Sequence, residues 1–180
     1  MNKYLQVVPL VLLLCFAFAC QDKAATANLE KLRTQAEAAK QNEAMFRNFT
    51  EELNKGNIEF FREVFPPEFI CYDSSGVNGQ FSLEELIDAF KMHFKGFPDL
   101  HFEIQEVVTT EDKIVARSTS TGTHTGEWFG IPATGNKIKI GMIEIWHMKD
   151  GKWVEIWQEY DRLGLMQQLG LELKPKVPRK

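Results

Sequence analysis

The sequence predicts an α+β protein in which a curved antiparallel sheet forms a cone, packed on N-terminal helices, with a central apolar cavity. In the first half of the 180-residue chain, apolar residues recur at helical spacing. In the second half, four strand-like segments follow one another, and glycines cluster at the corners between them. Helices followed by a run of strands are typical of the α+β class. Glycines at strand corners let a sheet bend around a pocket.

Composition and charge describe an ordinary globular domain. Hydrophobic residues make up 44% of the chain, charged residues make up 26%, and the formal net charge is −4. These fractions are usual for a globular protein. The chain carries no basic stripe of the kind that follows a nucleic-acid backbone, so we expect no nucleic-acid partner.

The N-terminus has the pattern of a secretory leader. Lys3 precedes an apolar run over residues 7–19, which is too short to span a bilayer comfortably. Cys20 follows Ala19 directly, as in a bacterial lipoprotein cleavage box, although the two residues before Ala19 depart from the usual pattern. We expect a signal peptide over 1–19 and a lipid on Cys20, which would make the protein an exported, membrane-anchored lipoprotein of the periplasm or cell surface. Ordinary secretion with cleavage near Ala19 is the alternative.

The remaining chain divides into a tether, one domain and a tail. Residues 20–40 are rich in Ala, Glu, Lys and Gln and suit a tether. The domain is expected over 41–173, and 174–180 forms the tail. With Cys20 lipidated, Cys71 stands alone in the mature chain, so we expect no intrachain disulfide.

Two helices are expected to open the domain. The first covers 41–54 and ends before Gly56, because glycine commonly follows a helix C-terminus. Its helix-spaced apolar residues are Met45, Phe46, Phe49 and Leu53. The second begins after Asn57, a favoured N-cap residue, and Pro66 stops it.

A strand over 68–73 and a third helix come next. Ser82, with Glu85 three residues later, has the pattern of a capping box at a helix start. Gly96 closes this helix. Its apolar face consists of Leu83, Leu86, Ile87, Phe90 and Phe94.

An antiparallel meander and a short terminal helix complete the domain. The expected strands cover 100–108, 114–123, 137–148 and 152–160. The last two strands carry apolar residues on both faces, so one face can line the cone while the other needs separate cover. A second copy of the chain would supply that cover, and we therefore expect a homodimer.

Several short motifs occur along this part of the chain in a fixed order. They are Phe97-Pro98-Asp99-Leu100, the glycine-rich runs 122–126 and 130–135, Asp150-Gly151-Lys152, Glu155-x-Trp157 and the closing run 161–170. With them, the sequence resembles the SnoaL-like polyketide cyclase (ester cyclase) family over roughly residues 43–171. Ala133 departs from the family pattern, which usually has a second proline there.

The resemblance implies the nuclear transport factor two-like fold and the chemistry of its characterised members. Those proteins close polyketide rings by intramolecular aldol condensation, without a metal or an organic cofactor. The resemblance also implies that Asp161 is the acid–base group and that His147 is a pocket residue. We accordingly expect Asp161 and His147 to be catalytic and no cofactor to be needed.

The residues themselves leave the role of Asp161 open. An apolar pocket could raise the pKa of its carboxyl toward neutrality, which suits a group that removes and returns a proton. Strand alternation would place Asp161 on the same side as Trp157. The alternative is that Asp161 caps the terminal helix, which begins immediately after it.

The other candidate residues are also ambiguous. His124 could donate a hydrogen bond at the pocket mouth or could fix its glycine-flanked loop. A two-residue turn at Asp150-Gly151 would pair His147 with Val154, facing away from Asp161, whereas a three-residue turn with a bulge would place His147 on the face of Trp157. The residues expected to contact a ligand are His124, Trp157, Glu159 and Phe90. His93 and His101 are interpreted as surface or rim residues.

No metal site is expected, because the four histidines are scattered along the chain. Three functions remain in view. The first is acid–base catalysis by Asp161 on a small hydrophobic carbonyl compound. The second is non-catalytic binding of a small hydrophobic molecule in the same cone, and an immunity or scaffold role is a weaker third.

Overall fold

The computed structural model describes residues 7–77, 79–172 and 174. Side chains at 7–22 and 74–77 lie outside this description. The side chains of the predicted leader over 1–19 and of Cys20, and most of the tail at 174–180, therefore lie outside the description, so the predicted cleavage and lipid are not tested. Among the helices that the structure describes, none is both long and apolar enough to cross a membrane.

The described chain runs from helices into strands, as the sequence predicts. The helices are α1 (Val7–Asn54), α2 (Phe61–Val64), α3 (Leu83–Gly96) and α4 (Arg162–Gln168), with a 3-10 turn at Ile58–Phe60 before α2. The strands are β1 (Ile70–Val77), β2 (Gln80–Ser82), β3 (His101–Thr109), β4 (Lys113–Thr123), β5 (Lys137–Lys149) and β6 (Lys152–Tyr160). Helix α1 is continuous over 48 residues, so the segment interpreted as a tether is helical.

The strands form one six-stranded sheet in the order β2-β1-β6-β5-β4-β3. The meander β3 to β6 is antiparallel throughout. Strand β1 instead lies parallel to β6, and the short strand β2 pairs with β1 at the sheet edge. Strand β2 is not predicted from the sequence, because its three residues are too few to show an alternation. The predicted α+β class, with helices on a curved sheet, is confirmed.

Aromatic side chains join the helices to the concave face of the sheet. Phe46 and Phe49 of α1 lie 5.9 and 5.6 Å, centroid to centroid, from the ring of Trp146 on β5. Phe49 also contacts Trp153 of β6 at 5.3 Å, in an edge-to-face arrangement that aromatic pairs favour. These rings are nearly or fully buried, so they anchor α1 on the sheet.

The predicted capping box starts α3. The Ser82 hydroxyl accepts a hydrogen bond from the Glu85 amide, and the Ser82 amide donates to the Glu85 carboxylate at 2.8 Å. These hydrogen bonds lower the pKa of Glu85. The cap fixes the register of α3, whose apolar face turns Leu86 and Ile87 into the core.

The turn between β5 and β6 settles which way His147 faces. Asp150 and Gly151 both have positive φ, 51° and 74°, as a two-residue hairpin turn of type I′ requires. The register then shifts by one residue beyond Met148, so that His147 lies opposite Glu155. The turn is therefore the two-residue alternative, but a bulge at Val154 prevents the pairing of His147 with Val154. His147 instead shares a face with Trp157, the placement expected for the three-residue alternative.

Candidate functional site

A cavity of about 390 Å³ lies between the concave face of the sheet, α3, α4 and the loop that follows β4. Most of its lining is apolar and includes Phe81, Phe90, Phe97, Phe102, Trp128, Phe129, Ile138, Ile140, Met142 and Leu165. The polar residues of the lining are Asp73, His93, Ser120, Gln158, Tyr160 and Arg162. An apolar cleft with a few convergent polar groups is the usual form of a small-molecule site.

A narrower void of about 50 Å³ adjoins this main cavity, and Glu144 lines it. The two spaces share lining residues, including Phe90, Phe102 and Gln158. Glu144 projects from the concave face of β5, opposite Gln158 of β6. Burial away from bulk water raises the pKa of its carboxyl to about 7. No hydrogen bond joins this carboxyl to any residue that the structure describes, and its proton can therefore be exchanged with a molecule in the void.

Three polar side chains meet on the floor of the main cavity. The Asp73 carboxylate accepts hydrogen bonds from Gln158 Nε2 and from an Arg162 guanidinium nitrogen, each at 2.7 Å. The Asp73 side chain is only 2% exposed, so its charge is compensated by Arg162 inside the fold. The guanidinium carbon also lies 5.1 Å from the centre of the Tyr160 ring. This cluster ties β1, β6 and α4 together and fixes the direction of the Gln158 amide.

His93 lines the cavity from α3 and has a fixed partner. The indole Nε1–H of Trp128 donates a hydrogen bond to His93 Nδ1 at 3.0 Å. Burial lowers the pKa of His93 to about 4, and the more distant Asp73 carboxylate only partly opposes that effect. The imidazole is therefore neutral at physiological pH, and the expectation that His93 is merely a surface or rim residue is wrong.

Asp161 lies outside the main cavity. It is exposed and forms the N-cap of α4, where its Oδ1 accepts a hydrogen bond from the Gly164 amide at 2.8 Å. The expectation that its carboxyl opens into the cavity is wrong, because the inward residue at the end of β6 is Tyr160. With Ile143 and Glu159, Asp161 instead lines a shallow depression on the other side of the sheet.

Trp157, Glu159 and His147 lie on that same outer face, which we define by Ile143, Ile145, His147, Trp157 and Glu159. Trp157 is 49% exposed and stacks on Tyr72 with ring centres 4.0 Å apart. The Nδ1 atom of His147 contacts the Glu155 carboxylate. The placement expected for Trp157, Glu159 and His147, as pocket residues, is therefore wrong.

Two further candidates have different positions. His124 is fully buried but lies outside the cavity lining, because its ring stacks on Phe97 with centres 5.0 Å apart. Its Nδ1 accepts a hydrogen bond from the Thr134 amide at 3.3 Å, so it fixes the loop. Phe90 does line the cavity, and its contact with a ligand stays a prediction. No group of three or more His, Cys, Asp or Glu side chains in the described chain is placed to hold a metal.

The capping role of Asp161 gives a direct prediction. Replacing Asp161 with Ala should lower the free energy of unfolding by about 1 kcal/mol, as loss of an N-cap does, without changing ligand affinity. Replacing it with Asn keeps a side-chain acceptor and should cost less. Chemical denaturation and ligand titration of both variants check this. A variant that keeps its stability but loses the ligand would contradict it.

A curved six-stranded sheet that helices cover around an apolar cavity defines a nuclear transport factor two-like cone. A sequence model of the SnoaL-like polyketide cyclase family matches residues 43–169, so the chain belongs to that family. Membership supports a cyclase- or isomerase-like function.

Solved structures show the same fold. AclR of Streptomyces galilaeus, assigned as a hydroxylase, is 25% identical with a TM-score of 0.67, over 73% of this chain and 97% of that chain. IdmH of Streptomyces antibioticus, assigned as a polyketide cyclase, is 25% identical with a TM-score of 0.63, over 73% and 99%. A protein of Bacillus cereus assigned as a polyketide cyclase is 32% identical with a TM-score of 0.57, over 68% and 76%. A search of curated proteins finds no match.

Proposed function

We propose that this protein is a cyclase- or isomerase-type enzyme that handles a small hydrophobic carbonyl compound by acid–base chemistry, with Glu144 as the acid–base group. The observation that carries the proposal is a carboxyl with a pKa of about 7 beside an apolar cavity. A group that both takes and returns a proton works best when its pKa lies near the working pH. The acid–base role expected for Asp161, whose carboxyl caps a helix, is thus assigned to Glu144.

The proton transfers can be written for Glu144 alone. Its carboxylate removes a proton from the carbon next to a carbonyl, and the C–H electron pair becomes an enolate. In a ring closure, the enolate carbon attacks a second carbonyl of the same molecule, and the protonated Glu144 returns its proton to the alkoxide that forms. In an isomerisation, the proton returns to a different carbon. These steps need no cofactor.

The fixed polar cluster supports orientation of the compound. Gln158 lies opposite Glu144 in the β5–β6 register and lines both spaces. Because Asp73 accepts from Gln158 Nε2, the amide oxygen of Gln158 remains as an acceptor and its direction is set. Arg162 is held by Asp73 and stabilises negative charge that develops on a carbonyl oxygen at the cavity floor.

The first experiment identifies the compound and then removes the carboxyl. Organic extraction and mass spectrometry of the purified protein identify what it carries, and that compound is assayed for conversion. Replacing Glu144 with Gln should lower kcat by roughly 100-fold or more, which is the usual contribution of a general acid–base group. The compound's affinity should stay within a few-fold, since the amide keeps the shape of the side chain.

Replacing Asp161 with Asn is the matched control, because it alters a carboxyl on the outer side of the same sheet. That variant should convert the compound at the wild-type rate. If Asp161→Asn loses activity and Glu144→Gln keeps it, Glu144 is not the acid–base group.

Non-catalytic binding of a small hydrophobic molecule is the second candidate. The predominantly apolar lining favours it, since such a surface holds a ligand without reacting with it. In that case the extracted compound would leave the protein unchanged, and Glu144→Gln would alter neither its identity nor its amount.

Export and lipidation stay proposals that rest on the N-terminal sequence. Mass spectrometry of the protein from membranes of the native cells would detect a diacylglyceryl modification on Cys20. Its absence, with a free N-terminus near residue 20 in the medium or periplasm, would favour ordinary secretion.

A homodimer also stays a proposal, and the outer face supports it. Ile143 is 55% exposed and Trp157 is 49% exposed there, and Ile145 lies between them. Covering this face with a second copy would bury apolar surface that water now contacts. Sedimentation at micromolar concentration should give the dimer mass, and Ile143→Lys should shift it to the monomer. A wild-type protein that sediments as a monomer would end the proposal.

A further inference from the structure

We propose that His93 is the residue that orients the ligand, by donating a hydrogen bond from Nε2 to an uncharged carbonyl oxygen. The inference rests on the proposed function in one respect, which is that a ligand enters the main cavity. It adds the chemical class of the ligand group that lies next to α3. That group is a neutral ketone or ester, and its oxygen lies among aromatic rings. It does not require that Glu144 be catalytic.

The partner of His93 determines its tautomer. An indole N–H can only donate, so His93 Nδ1 must accept the hydrogen bond from Trp128. A neutral imidazole that accepts at Nδ1 carries its proton on Nε2. A protonated ring would place two N–H donors against each other at this contact, which burial already disfavours. His93 therefore presents one defined donor, Nε2–H.

The loop after β4 holds Trp128 in place against α3. A Cβ atom at Gly96 would lie 2.6 Å from Trp128 Cβ, so the tryptophan approaches the helix where only glycine fits. Trp128 and Ile131 exchange two backbone hydrogen bonds, at 3.0 and 2.8 Å. Trp128 is only 4% exposed. These contacts fix the direction of its N–H and, through it, the orientation of the His93 ring.

The second nitrogen of His93, Nε2, makes no hydrogen bond within the part of the chain that the structure describes. Phe90 and Phe129 flank the ring, with centres 5.8 and 5.6 Å away, and they supply apolar contact only. Nε2 is not one of the fully buried atoms without a partner, so it is open to the cavity. A ligand that displaces water from this donor must supply an acceptor in its place, or the hydrogen bond is lost. A carbonyl oxygen fits because it accepts without bringing a charge into the cavity.

The test uses two probes of nearly equal shape. They are 2-acetylnaphthalene, a ketone, and 2-isopropenylnaphthalene, in which a CH2 group replaces the carbonyl oxygen. The affinities of wild-type protein and His93→Phe for both are measured by fluorescence titration. Loss of one hydrogen bond should weaken ketone binding by roughly 5- to 10-fold in the variant. Binding of the hydrocarbon should not change, because the substituted ring fills the same space.

Infrared spectroscopy of the bound ketone supplies an independent measurement. In the wild-type protein the carbonyl band should lie at lower frequency than in hexane, and in His93→Phe it should return toward the hexane value. Nitrogen-15 spectra of the wild-type protein should show His93 protonated at Nε2 and bare at Nδ1. Trp128→Phe, which keeps His93 but removes its partner, should broaden the carbonyl band as the ring loses its fixed orientation.

Several results would overturn the inference. These are equal loss of both probes in His93→Phe, an unchanged carbonyl band, a proton on Nδ1, or a wild-type protein that does not bind the ketone. If His93→Phe does not fold, the nitrogen-15 spectra and the carbonyl band of wild-type protein and Trp128→Phe decide alone. Asp161→Asn, which changes a carboxyl on the outer side of the sheet, should bind both probes as the wild type does. Loss of turnover in Glu144→Gln with no selective ketone effect in His93→Phe would leave the proposed function standing and this inference refuted.

Discussion

Replacing Glu144 with Gln should remove a loss of about 3 kcal/mol in the free energy of unfolding that the wild-type carboxyl causes between pH 4 and pH 8. Burial raises the pKa of Glu144 from 4.5 to about 7. Between these two values the folded protein keeps a proton that the unfolded chain has released. The free energy of unfolding therefore falls as the pH rises through this window. A pKa shift of this size lowers the free energy of unfolding by about 3 kcal/mol across the window. The Gln side chain does not titrate, so the variant does not lose this stability.

His93 acts in the opposite direction over nearly the same range. Burial lowers its pKa from 6.5 to about 4, so between these values the unfolded chain binds a proton that the folded protein excludes. Stability from this group rises with pH. In the wild type the two effects oppose each other between about pH 4.5 and 6.5. In this range the free energy of unfolding should rise with pH in Glu144→Gln and fall with pH in His93→Phe.

Urea denaturation from pH 4 to pH 8 measures the effect as a difference between each variant and the wild type. Carboxylates that partners stabilise, such as Asp99 beside Thr123, are present in all the proteins and cancel in that difference. The double variant should show neither slope. A difference curve for Glu144→Gln that stays flat across pH 4 to 8 would mean that the Glu144 carboxyl is solvated in the folded protein.

The sequence was sufficient for the fold because each element carries its own local signal. The capping pattern of Ser82 and Glu85 forms as predicted, and the meander of four strands lies where alternation and turn residues place it. The motifs from Phe97 onward led to the family that the comparisons support. These features depend on residues close together in the chain, so one sequence reveals them.

The site was harder to predict because it depends on which face of a strand points inward. Glu144 interrupts the inward series Met142 and Trp146 on β5, but the outward residues Ile143 and Ile145 are equally apolar and hide the alternation. The bulge after the tight β5–β6 turn then changes the partner of His147 without any sequence signal. The Trp128–His93 hydrogen bond joins residues that are 35 positions apart, and only the folded loop brings them together.

Gly126 illustrates the same limit and gives the second large prediction. From the sequence, Gly126 is interpreted as one of the glycines at a corner that bends the sheet. In the structure, Gly126 instead lies against the end of α3. A Cβ atom there would lie 2.0 Å from the backbone oxygen of Lys95, which cannot rotate away. The amides of Thr125 and Gly126 both donate to the Gly96 carbonyl, at 3.1 and 3.0 Å. Gly126→Ala must therefore push the loop off the helix and break both hydrogen bonds.

We expect Gly126→Ala to lower the free energy of unfolding by roughly 2–4 kcal/mol, the range of substitutions that force a backbone shift in a packed region. Gly141→Ala is the control, because a Cβ atom there meets nothing within 4 Å, and it should stay within about 0.5 kcal/mol of wild type. Denaturation of both variants measures the difference. Since Trp128 is two residues beyond the displaced backbone, Gly126→Ala should also lose the preference for the ketone probe while Gly141→Ala keeps it. If Gly126→Ala unfolds like the control, the loop does not depend on its contact with α3, and the orientation of His93 cannot be explained by that contact.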